Sequence, residues 1–157
     1  MNSATPHTDT QFGHLERWKL PFANSLHPSV SLIIPPNSVD RLIVVVMPQG
    51  LEEYPGYILD FKRAHFTIAY DESCAKPTDP YWFEQQKQAG NSCAYIWHNS
   101  PLVRLQSGIG CPQSNDITKL KHYLLLGGDS IVEVLAYEEP QLKQFNKPER
   151  LIMEYTF

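Results

Sequence analysis

The sequence predicts an α+β chain, mainly antiparallel β: a curled antiparallel sheet with one helix, at about residues 80–89, packed on it. A β-sandwich or partly open barrel is the alternative. Three observations carry this expectation. Short apolar runs succeed one another without the helical stretches that parallel crossovers require. The stretch Tyr123–Ala136 (YLLLGGDSIVEVLA) places two apolar runs on either side of a Gly-Gly-Asp break, which marks a hairpin. Only the segment 80–89 carries helix start and stop signals at both ends: Asp79 as a cap, Pro80 at the first helical position and Gly90 beyond the last.

Taken in order, residues 1–10 are small and polar and read as a loose tail, and residues 11–157 read as a single globular domain. The segment from Phe12 to Phe22 has large apolar residues of mixed period and is ended by Pro21. Residues 29–34 (SVSLII) read as a strand, followed by a loop at Pro35-Pro36. Residues 42–47 (LIVVVM) are apolar on both faces and β-branched, which predicts a buried central strand. In 57–70, Tyr57, Leu59 and Phe61 share one parity, and Ala64, Phe66, Ile68 and Tyr70 share the other. A bulge or tight turn near Lys62-Arg63 reconciles the two sets.

Residues 93–98 and 102–106 are expected to be a strand pair about Asn99-Ser100-Pro101. Residues 107–114 are a loop, and 116–121 form a helical turn. In the hairpin, a two-residue type II′ loop at Gly128-Asp129 sets Leu126 opposite Ile131 and Tyr123 opposite Val134. After Pro140, QLKQF is expected to form one helical turn, and 150–157 (RLIMEYTF) a last strand.

Composition narrows the function classes. The chain has 157 residues, of which 42% are hydrophobic and 19% charged, as in folded globular domains. The net charge is −4, and the lysines and arginines are scattered, so no basic stripe exists to displace counterions from nucleic-acid phosphates. No apolar run is long enough to span a bilayer, and the N-terminal residues lack the basic and apolar regions of a signal peptide. The three cysteines, Cys74, Cys93 and Cys111, are odd in number and form no C-x-x-C pair, which predicts reduced thiols and a cytoplasmic setting.

Chemistry-bearing residues are few. In either hairpin register His122 and Glu133 fall on one sheet face, with Leu124, Leu126, Ile131 and Leu135. A carboxylate on such a face is costly unless paired, so Glu133 is either a base or ligand with His122 nearby, a satisfied structural pair with it, or a solvent-facing residue near the sheet rim. Cys111 follows a glycine turn and is the alternative nucleophile, although Pro112 removes one backbone donor beside it. Asp60, His65 and His98 could join His122 and Glu133 only through the fold, since no metal-ligand spacing links them. No metal or cofactor is expected.

Aromatic residues exceed what a core needs. Tyr81, Trp82, Tyr95 and Trp97 are the candidates for an exposed binding surface, because Tyr and Trp give large amphipathic contact area. The function expected from the sequence is non-enzymatic binding of a protein partner or small ligand, with no nucleic acid and no membrane. A small enzyme using His122/Glu133 or Cys111 is the rival, and a homodimer built on a β-edge or aromatic patch is the third possibility.

Overall fold

The computed structural model describes residues 13–36, 38–50, 53–71, 73, 80–108 and 119–147, with the side chains of 80–84, 107 and 108 outside that description. Among the described residues the chain is mostly antiparallel β, in two sheets with two short helices. The strands are β1 (His14–Arg17), β2 (Ser29–Ile33), β3 (Leu42–Met47), β4 (Gly56–Phe61), β5 (Ala64–Asp71), β6 (Ala94–His98), β7 (Lys121–Leu126), β8 (Ser130–Ala136) and β9 (Gln141–Phe145). The helices are α1 (Pro80–Ala89) and α2 (Pro101–Gly108). One sheet has the order β1-β6-β7-β8-β5 and the other β2-β3-β4-β9.

The strands are therefore divided between two sheets, where the first expectation was a single curled one. The division is made at Lys62-Arg63. The parity change noted there is a turn that carries the chain from one sheet to the other, and a register shift between Ala64 and Phe66 then sets the facing of β5. Alternation does the rest. Val44, Val46, Leu59 and Phe61 of the four-stranded sheet share one buried cluster with Tyr123, Leu125, Val132 and Val134 of the five-stranded sheet. β3 is buried on both faces because β2 and β4 flank it and a second cluster, including Ile43, Val45, Ile58 and Phe145, lies on its far side.

The hairpin pairs Leu126 with Ile131 and Tyr123 with Val134, the expected register. Gly127 N–H bonds Ser130 O at 2.7 Å and closes a loop of Gly128 and Asp129. Neither loop residue has a positive φ, so the turn is not the expected type II′.

Two other segments differ from expectation. Residues 102–106 lie in α2 and not in a strand. Asn99 takes a left-handed φ of 51°, Ser100 caps the helix and Pro101 starts it. Residues 141–145 form β9 and not a helical turn, because pairing with the edge of β4 outweighs local preference. Of the expected loop 107–114, residues 107 and 108 belong to α2, and of the expected turn 116–121, Lys121 opens β7; the tail 1–10, residues 109–114 and 116–118 and the last strand 150–157 lie outside the described residues.

Candidate functional site: a polar row across the five-stranded sheet

His122 and Glu133 do share a face, and that face points away from the core common to both sheets. Its neighbours are Leu15, Tyr95, Leu124 and Ile131, with Tyr70, Trp97 and Leu126 packed beside them. His122 pairs with Leu135, and Glu133 stands two residues earlier on β8, so the two are diagonal neighbours. His122 Nε2 lies 2.8 Å from Glu133 Oε2. The N–H direction is off the line to that oxygen, so the contact is an ion-pair distance without a linear hydrogen bond.

Two residues that the sequence did not single out complete the row. Tyr70, on β5, is the diagonal neighbour of Glu133 on the other side and donates its hydroxyl to Oε1 at 2.6 Å. Ser100, at the start of α2, places Oγ 2.8 Å from His122 Nδ1. The same Oγ accepts the Val103 backbone N–H at 3.2 Å as the helix cap. The hydroxyl keeps its proton and a second lone pair, so the direction of the Ser100–Nδ1 bond follows the imidazole tautomer. Trp97 stacks on the imidazole, with centroids 5.3 Å apart and 18° between planes.

The row is enclosed. Ser100 and His122 are 0% and 1% exposed, and the Glu133 side chain 15%. Burial alone would raise the Glu133 pKa, but the imidazole and the Tyr70 hydroxyl outweigh it and hold the carboxyl below its ordinary 4.5. Burial, together with the neighbouring Glu133 carboxylate, pushes the Tyr70 phenol well above its usual range. The arrangement contains a hydroxyl, an imidazole and a carboxylate in sequence, yet the hydroxyl is capped, buried and turned to Nδ1.

The remaining candidates lie apart. Asp60, on β4, is held by Arg41 at 2.8 and 3.0 Å and by Lys62 at 2.5 Å, on the far face of the other sheet. Burial opposes its ionisation, and these two cations hold its pKa below the ordinary 3.8 all the same. His98 stacks on His14 and reaches Glu16 at 2.6 Å on the paired strands β1 and β6. His65 sits at the β5 bulge against Tyr137. These residues do not converge with His122 and Glu133, and among the described residues no group of three or more His, Cys, Asp or Glu is arranged to hold a metal.

Tyr95 is fully buried, and its hydroxyl bonds Gly90 O at 2.8 Å and Ser92 N–H at 2.9 Å. Trp97 is half-buried. The side chains of Tyr81 and Trp82, and all of Cys111, lie outside the described residues. Cys93 is buried, with Sγ 3.2 Å from Phe22 O, and burial pushes its thiol up to about 11.

A signal for Ser100 was present in Asn99-Ser100-Pro101, which reads equally as a cap followed by a first helical residue. Tyr70 carried no local signal, because the β5–β8 pairing that brings it to Glu133 spans the middle of the chain. No family model, curated protein or solved structure matches this chain. No helix among the described residues is long and apolar enough to cross a membrane.

Proposed function

We propose that this is a non-enzymatic binding domain that takes a protein partner or small ligand through an aromatic surface about Trp97. In this reading the Ser100–His122–Glu133–Tyr70 row is the structural floor of that surface. The packing of both sheets on one buried cluster supports reading the body as a β-sandwich with the helices outside it. The observation that carries the non-catalytic reading is Ser100. Its hydroxyl is fully buried and already serves α2 as a cap, so the side chain placed where a nucleophile would stand cannot meet a substrate. Hydrogen bonds hold the row at the Ser100 hydroxyl, at Nδ1 and at Glu133 Oε1, and Oε2 stands at ion-pair distance from Nε2, an arrangement that fits a structural polar network. Trp97 is the half-buried aromatic at its edge, a residue type enriched where binding energy concentrates. The setting expected from the reduced thiols is the cytoplasm.

Two measurements test the reading. A fluorophosphonate probe followed by peptide mass spectrometry should leave Ser100 unlabelled; labelling there would make the row catalytic. In an NMR fragment screen, amide shifts should cluster about Trp97 and vanish in a folded Trp97→Ala variant. Hits that survive this substitution and map elsewhere would remove the aromatic surface.

A further inference from the structure

Among the described residues each sheet has two edge strands: β1 and β5 in one, β2 and β9 in the other. Edges in monomeric folds are blunted by shortness, charge or proline, because an open row of N–H and C=O groups invites another strand. Three of the four show such protection. β1 has four residues and carries Glu16 and Arg17; β2 runs out into Pro35-Pro36; β9 follows Pro140 and carries Lys143. β5 is different. It has eight residues, AHFTIAYD, with no proline, lysine or arginine, and among the described residues nothing pairs with its outer side.

The ladder decides which groups face out. The Gly127–Ser130 hydrogen bond makes residues 130, 132 and 134 of β8 bond β7, so 131, 133 and 135 bond β5. Their partners Tyr70, Ile68 and Phe66 therefore direct their backbone groups inward. Thr67, Ala69 and Asp71 direct theirs to the open edge.

From this we infer that the protein is a homodimer in which two β5 strands pair antiparallel about a twofold axis at Ile68, joining the two five-stranded sheets into one. This register suits the strand on its own terms. Thr67 and Ala69 of one copy exchange backbone bonds with Ala69 and Thr67 of the other. Ile68 meets Ile68, and Phe66 meets Tyr70, on one face. His65 falls opposite Asp71 at both ends, so the only carboxylate of the strand meets an imidazole and not its own copy. The half-buried Phe66, Ile68 and Tyr70 would be covered by the same residues of the second copy.

Size-exclusion chromatography with light scattering should give twice the 18.0 kDa chain mass. Ile68→Lys places two like charges on the axis, and Ala69→Pro removes an outward donor without touching the bonds to β8. Both variants should run as folded monomers, with an unchanged far-UV spectrum and a cooperative melt. Should either fail to fold, Ile68→Cys decides: residues meeting across a non-hydrogen-bonded pair are close enough for a disulfide, so oxidation should link two chains through position 68, with the unsubstituted chain as the control for its own thiols. A monomeric parent protein at all attainable concentrations would overturn the inference. So would a dimer that survives both folded variants, or an Ile68→Cys protein that does not cross-link through position 68.

Discussion

At the scale of single residues, Glu133 is the group whose removal is most informative. Its carboxylate is enclosed between His122 and Tyr70, and its pKa is held below the ordinary 4.5. A group depressed in the folded state contributes its full stability above the unfolded value and loses it as pH falls through the folded one. Glu133→Gln should therefore cost about 3 kcal/mol at neutral pH, since breaking a buried pair leaves its partners uncompensated. The cost should shrink as pH drops below 4.5, which urea unfolding at a series of pH values would show. A difference that stays constant across that range would mean the carboxylate titrates alike in both states. Cys93 has the opposite bias. With its thiol pushed up to about 11 and buried at the Phe22 carbonyl, it should resist iodoacetamide at pH 8 in the folded protein and react in urea, as peptide mass spectrometry would record.

At the scale of elements, the row is also a joint, because Ser100 ties α2 to β7. Ser100→Ala removes the helix cap, at about 1 kcal/mol, and strips His122 Nδ1 of its partner, at roughly 1–3 kcal/mol more. The total should exceed the cost of a cap alone, and amide exchange should quicken in α2 and at His122 together. Exchange that quickens only in the helix would separate the two roles. What the sequence could tell follows the range of the interactions. The β7–β8 register was legible because a tight two-residue loop, Gly128-Asp129, closes the hairpin and alternation puts His122 and Glu133 on one face. The facing change between Phe61 and Ala64 was legible for the same reason, although not that the chain changes sheet there. Tyr70 was illegible as a member of the row because its place depends on a pairing between distant segments. α2 was misread as a strand because Leu102, Val103 and Leu105 fit either period over so short a span. β9 was misread because only the free edge of β4 makes QLKQF a strand.

At the scale of the whole molecule, the two sheets are held together by side chains that neither sheet could bury alone, and Tyr123 is at their meeting point. Its ring packs against Trp18 at 4.7 Å, from the segment after β1, and edge-on against Phe61 at 5.3 Å, from the opposite sheet. The residue is 0% exposed, and its hydroxyl has no hydrogen-bond partner among the described residues. A buried hydroxyl without a partner opposes folding by about 1–3 kcal/mol, whereas the ring it rides on contributes to the shared core. Tyr123→Phe keeps the ring and removes the penalty, so it should stabilise the protein by about 1 kcal/mol after allowance for relaxation around the vacated oxygen. Tyr123→Leu, which loses the aromatic contacts to both sheets, should destabilise it. The alkaline side gives an independent check. Burial, with a lesser push from Glu139, raises the Tyr123 phenol above its ordinary 10.0, so its contribution falls away as pH rises past that value. The gain from Tyr123→Phe, read as a shift in the urea midpoint, should accordingly grow as pH rises past 10.0. A loss of stability in Tyr123→Phe at neutral pH would show that the hydroxyl has a partner in solution that holds the two sheets together.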